Sequence, residues 1–128
     1  MTPPQKNRFL QELQNAIQPL VFSEEFSIDE LCRQMGISRM HLHRKLIDST
    51  GLSASHYINL VRLQKAKELL VMSDLTVSEV AYEVGFRDPN YFTRVFVEKN
   101  DVSPTCYRKA FFELRYNNPE DRYNGANA

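Results

Sequence analysis

The chain is short of most features that would mark a membrane protein or an enzyme. No apolar run approaches the roughly 20 residues that a membrane-spanning helix needs. The start, Met1-Thr2-Pro3-Pro4, lacks the basic and apolar regions of a secretory signal. A cytoplasmic location is the resulting expectation. The two cysteines, Cys32 and Cys106, lie far apart and fit no metal-ligand spacing, so two buried, reduced thiols are expected. There is no HExxH, no phosphate-binding glycine loop and no Cys-His dyad signature. His41 and His43 stand two residues apart, about 200° around a helix, and cannot chelate one metal together. We therefore expect no catalytic residue, no metal and no cofactor. An excess of positive charge is missing too, since 16 Lys and Arg offset 16 Asp and Glu. Taken over the whole chain, that balance counts against a polyanionic partner, because neutralising phosphates requires Lys and Arg.

What the chain does have is helical periodicity. Its 128 residues, 42% hydrophobic and 25% charged, suit one compact domain or two very small ones sharing a helix. Phe9, Leu10, Leu13 and Ile17 recur at helical spacing until Pro19 stops the pattern. Ser27 with Glu30 has the form of a capping box, opening a short helix with Ile28, Leu31, Cys32 and Met35 on one face. Gly36 supplies the left-handed residue that ends it. Ser38 then caps a helix in which Leu42 and Leu46 face inward while Arg39, His43 and Arg44 project elsewhere.

Ser53 opens the longest pattern, Tyr57 to Leu70, with no Gly or Pro in it. Some eighteen residues give a rod of roughly 27 Å. Thr76 starts a short helix with Val77, Val80, Ala81 and Val84 apolar, ended by Gly85. Asp88-Pro89 opens the next, with Pro at its first position, and Tyr91, Phe92, Val95 and Phe96 continue it. Ser103-Pro104 begins a last helix with Tyr107, Ala110, Phe111 and Leu114, and the polar tail from Asn117 is expected to be disordered.

The two halves repeat. Ser27, Ile28, Leu31, Cys32, Met35, Gly36 and Ile37 recur 49 residues later as Thr76, Val77, Val80, Ala81, Val84, Gly85 and Phe86. Arg44, Leu46, Gly51, Ser53 and Tyr57 recur 50 residues later as Arg94, Phe96, Asp101, Ser103 and Tyr107, so one residue is added near the start of the second copy's second helix. Each copy is helix, glycine turn, helix, the layout in which the second helix enters a DNA major groove. The charge is divided between the copies. Residues 33–67 hold seven Lys and Arg against one acid, a balance of +6, while residues 68–101 hold three against seven, a balance of −4.

The segment from Gly36 to Leu46, the linker from Tyr57 to Leu70, and above all Val80-Ala81-Tyr82-Glu83-Val84-Gly85-Phe86-Arg87-Asp88-Pro89-Asn90-Tyr91-Phe92-Thr93-Arg94-Val95-Phe96 followed by Val102-Ser103-Pro104 and Tyr107-Arg108 resemble the AraC family of bacterial transcription regulators. The likeness covers about residues 26–110. It implies an all-α fold of about seven helices, two helix-turn-helix subdomains joined by a long linker helix. The expected division is 1–22 for an N-terminal amphipathic helix and lead-in, 23–52 for the first subdomain, 53–72 for the linker, 73–116 for the second subdomain and final helix, and 117–128 for the tail. Where family members usually carry Gly this chain has Asp101, a residue type that tolerates left-handed backbone better than most.

The resemblance further implies double-stranded promoter DNA and RNA polymerase as partners, no membrane, and a sensor or receiver domain that this chain lacks. It places base-reading positions on Met40, His43 and Arg44 in the first unit and on Asn90, Tyr91, Thr93 and Arg94 in the second. Arg39, His41 and Lys45 are expected at phosphate, as are Ser27 and Thr76 at helix starts. Other roles compete. Arg44 has phosphate contact or surface charge as its alternative, Asn90 has helix capping, and Arg94 has a salt bridge with nearby acids. A helical protein-interaction module without specific DNA binding is the alternative for the whole chain, with Phe111, Phe112 and Tyr116 as its surface.

Overall fold

Most helices begin where the sequence offers a side-chain oxygen to a free backbone amide. The computed structural model describes residues 3–117, with side chains described from residue 8 to residue 115. It contains α1 (Pro3–Ile17), α2 (Ile28–Met35), α3 (Arg39–Thr50), α4 (Ala54–Met72), α5 (Val77–Glu83), α6 (Pro89–Asn100) and α7 (Pro104–Asn117), and no strand among the described residues. Ser27, Ser38, Ser53, Thr76 and Asp88 each accept a hydrogen bond at the first turn of the helix that follows. Ser103 does the same for the amide of Cys106. The Tyr116 side chain and the tail beyond residue 117 lie outside the described residues.

Two hydrophobic cores lie along one helix. In the first, Leu31, Cys32, Leu42 and Leu46 of α2 and α3 meet Phe9, Leu13 and Ile17 of α1, Val21, and Ile58 of α4. In the second, Val80, Ala81, Phe92 and Phe96 of α5 and α6 meet Val84, Phe86 and the α4 residues Leu63, Ala66 and Leu70. The four residues from each helix pair occupy matching places in the repeat. Phe22 packs against both cores. α4 is therefore shared, with one core near its start and the other along the rest.

The two turns share the same pair of backbone hydrogen bonds. The amide of Ile37 donates to the Cys32 carbonyl at 3.1 Å and that of Gly36 to Arg33, while Phe86 donates to Ala81 at 2.9 Å and Gly85 to Tyr82. Gly36 and Gly85 both have positive φ, at 68° and 101°. The extra residue of the second copy falls in this turn. Ile37 is followed directly by the cap Ser38, whereas Arg87 stands between Phe86 and the cap Asp88. At the far end of each second helix Gly51 and Asp101 hold left-handed backbone, with φ of 75° and 63°. Asp101 thus adopts the conformation that glycine would, as its position in the repeat predicts.

One local expectation is corrected. Ser27 caps α2, but the Glu30 carboxylate turns to Arg33 and Gln34 instead of returning to the Ser27 amide. A reciprocal box is present only in the second copy, where Thr76 and Glu79 bond each other's amides at 3.1 Å.

Candidate nucleic-acid interface

α3 carries the first group of site residues. Met40, His43 and Arg44 stand at i, i+3 and i+4, so they share one face, and all three are exposed, Met40 at 69%. Leu42 and Leu46 are fully buried on the opposite side and set the rotation of the helix. The flanking cations have protein partners. Arg39 lies 3.3 Å from Asp29 of α2, both side chains 65% exposed. A pair that open to water contributes only about 0–1 kcal/mol, so a phosphate can replace Asp29 at little cost. Lys45 sits over the Phe9 ring at 5.2 Å, and His41 is half-buried.

α6 repeats the triplet fifty residues on. Asn90, Thr93 and Arg94 match Met40, His43 and Arg44, and the side chains of Asn90 and Arg94 are exposed. Capping is excluded for Asn90, because Asp88 caps α6 and accepts the Asn90 amide at 2.9 Å. Arg94 forms no salt bridge among the described residues; its guanidinium lies over the Tyr91 ring at 5.3 Å. Tyr91 matches His41, and its hydroxyl accepts from Asn59 of α4 at 3.0 Å. The structure thus draws Tyr91 toward the linker helix while leaving the Asn90–Thr93–Arg94 face outward.

The local balance of +6 overstates the free charge. Its window ends between ion-pair partners, since Arg33 pairs with Glu30, Arg39 with Asp29 and Lys65 with Glu68. Lys67 lies over Tyr107 at 5.6 Å. Arg62 donates from Nε to the Val21 carbonyl at 2.8 Å and from NH2 to Ser23 at 3.4 Å, with the rings of Phe26 and Phe86 each 5.7 Å away. Burial, reinforced by the charge of Arg87, pulls its pKa down from the usual arginine value, with Tyr91 opposing. Of the seven cations, Arg44 alone has no partner among the described residues.

A sequence family described as a helix-turn-helix domain matches residues 31–110. The chain is 40% identical over 88 residues to the HTH-type transcriptional activator RhaS of Klebsiella pneumoniae, which covers 69% of this chain and 32% of the activator. The chain belongs to the AraC family. It spans about a third of the length of the curated relatives it matches. The AraC-type backbone superposes on solved structures as well. The C-terminal domain of the response regulator yesN from Fusobacterium nucleatum matches with a TM-score of 0.72 and 29% identity, over 79% of this chain and 98% of that one. The DNA-binding domain of the global transcriptional factor AdpA, solved with a target DNA, matches with a TM-score of 0.74 and 28% identity, over 84% and 98%.

Within this AraC-type domain the two thiols differ. Cys32 is buried, and burial raises its pKa against the opposing charge of Arg39. Cys106 is exposed on α7, which corrects the expectation that both pack in a core. Phe111 and Phe112, also exposed on α7, contact each other edge to face at 6.0 Å. No helix among the described residues is long and apolar enough to cross a membrane, and no group of three His, Cys, Asp or Glu there is placed to hold a metal.

Sequence reasoning missed Arg62, Asn59 and Arg87 as structural ties. Nothing local distinguishes Arg62 from the other basic residues of its helix. The change of repeat offset from 49 to 50 was the signal that marked Arg87.

Proposed function

We propose that this chain is the sequence-reading part of a transcription regulator and binds double-stranded promoter DNA with α3 and α6 in successive major grooves. The carrying observation is the pair of matching outward triplets, Met40–His43–Arg44 and Asn90–Thr93–Arg94, on the second helices of two repeated units. Residues 23–52 and 73–116 are the reading units, 53–72 the spacer, and 1–22 the cover of the first core. The AdpA domain's complex with its target DNA supports this reading.

Arg44, unpartnered and on the outward face, donates two hydrogen bonds to guanine O6 and N7, worth about 1–3 kcal/mol of discrimination. His43 donates to a base acceptor and Met40 packs on a thymine methyl. Asn90 reads adenine, with Tyr91, Thr93 and Arg94 beside it. Arg39, His41 and Lys45 meet phosphate, and Ser27 and Thr76 do so from the starts of α2 and α5. Two different readers on one chain suit an asymmetric, direct-repeat-like site. The chain is not an enzyme, takes no cofactor, works in the cytoplasm beside RNA polymerase, and answers a signal received by a separate sensor or receiver unit.

Gel-shift titration on duplexes selected from a random pool tests the reading. Binding that weakens steeply with salt is expected, and an absent or salt-insensitive shift would refute it. In the same selection Arg44→Ala relaxes the preference at one base position, whereas Lys45→Ala weakens all sites alike.

A further inference from the structure

Two fastenings relate the second unit to the first. One is α4, through which all substantial helix packing between the halves runs. A shared rod sets a distance, but a unit packed on one rod can rock about its axis. The other fastening lies to one side of that axis, where Arg62 of α4 and the 85–87 turn both reach the loop after α1. Arg62 donates to the Val21 and Ser23 carbonyls and lies against Phe26 of one unit and Phe86 of the other. Arg87 donates from Nε to the Glu24 carbonyl at 2.8 Å. The acceptors are backbone carbonyls, which have no rotamer freedom of their own.

The two glycine turns show that this packing serves the joint and not the helix-turn-helix motif. A Cβ at Gly36 would meet nothing within 4 Å, whereas one at Gly85 would lie 2.9 Å from both Arg62 Nε and the Val21 oxygen. Arg87 is the one residue the second turn has and the first lacks, and it makes the contact with the Glu24 carbonyl.

We propose that Arg62 and Arg87 are positioning residues that latch the 85–87 turn to the 21–24 loop, fixing α6 relative to α3 and making the chain selective for the spacing between half-sites. This rests on the DNA reading above. Neither side chain reads a base; each acts through the angle at which α6 is presented.

The test uses duplexes carrying the selected site with one base pair inserted or removed between half-sites, which moves one groove about 3.4 Å and turns it about 35°. The unaltered chain is expected to lose tenfold or more in affinity on either change. Arg87→Ala, at an exposed position, and Arg62→Met are expected to lose less than threefold. Their affinity for a duplex holding only the first half-site is expected to stay unchanged, a pattern that general destabilisation does not produce. If Arg62→Met fails to fold, Arg87→Ala alone decides. An Arg87→Ala chain with the full tenfold spacing penalty overturns the latch while leaving the DNA reading intact. An unaltered chain that binds no selected duplex overturns both.

Discussion

Leu42 and Phe92 occupy the same place in two copies of one motif, yet the cores around them are built differently. The first is aliphatic and is completed from outside the motif by Phe9, Leu13 and Ile17 of α1. The second holds a run of rings that passes from the turn through α6 to α7, with Phe86–Phe92, Phe92–Phe96 and Phe96–Tyr107 centroids at 5.2, 5.8 and 5.7 Å. The glycine hydrogen bonds that close the first helix are the same in both. A helix, a left-handed glycine and a second helix set the shape of each unit, and side-chain volume is then found wherever the chain supplies it. The outward faces diverge in parallel. One presents an Arg44 with no partner among the described residues, in a basic segment, the other an Arg94 resting on Tyr91 in an acidic one.

The comparison breaks most readily in the cores. Phe92→Ala is expected to cost about 3–5 kcal/mol and Leu42→Ala about 2–5, with Phe92 the greater because ring contacts on both sides are lost. Urea unfolding of the two variants checks the order, and a larger loss at Leu42 would show that α1 closes its core more tightly than the rings close theirs.

The turns come next. Gly36→Ala, with open space around it, is expected to cost only the left-handed penalty of about 1–2 kcal/mol. Gly85→Ala adds the clash with Arg62 and Val21 and should exceed it in the same unfolding experiment. Equal losses would mean that the Arg62 contact yields freely.

Between the readers, Arg44→Ala is expected to remove about 1–3 kcal/mol of discrimination at one base position, and Arg94→Ala less, because its cation already has a ring partner. Competition gel shifts with single-base variants of the site measure both. A larger loss at Arg94 would reverse the ranking of the two readers.

The smallest contrast is in the caps. Thr76→Ala and Ser27→Ala are each expected to cost about 1 kcal/mol. The Thr76 box also has a pH signature at Glu79, because the Thr76 amide, with help from its hydroxyl, holds the Glu79 carboxyl below its ordinary range. A depressed carboxylate contributes stability above its unfolded pKa and loses it as pH falls. The Glu79 contribution should therefore fade as the pH falls through and below the ordinary glutamate range. Thermal unfolding of Glu79→Gln across that range should show a flatter profile than the parent, and an unchanged profile would remove the box from the account.

Much of this was legible in the chain because its signals are local. Cap residues, glycines and apolar spacing placed the helices to within a residue or two, since a helix start is decided by the few residues that satisfy its first amides. Ser27–Glu30 shows the limit. The same spacing that closes a box at Thr76 leaves it open at Ser27, because Arg33 and Gln34 compete for the carboxylate one turn on. Cys106 shows another, since position in a final helix does not say which side a neighbour covers.

The sequence by itself determined the seven-helix pattern, the duplication and the residues that face outward together, because each depends on contacts within a few residues along the chain. Arg33 and Lys65 pair with Glu30 and Glu68 one turn away on their own helices. Tertiary structure decided which of the remaining cations are free and how the two units are joined. Arg62 and Arg87 find their acceptors 41 and 63 residues away, in a loop whose carbonyls carry no side-chain signature. Arg39, Lys45, Arg62 and Lys67 are told from Arg44 only by partners that the fold brings to them.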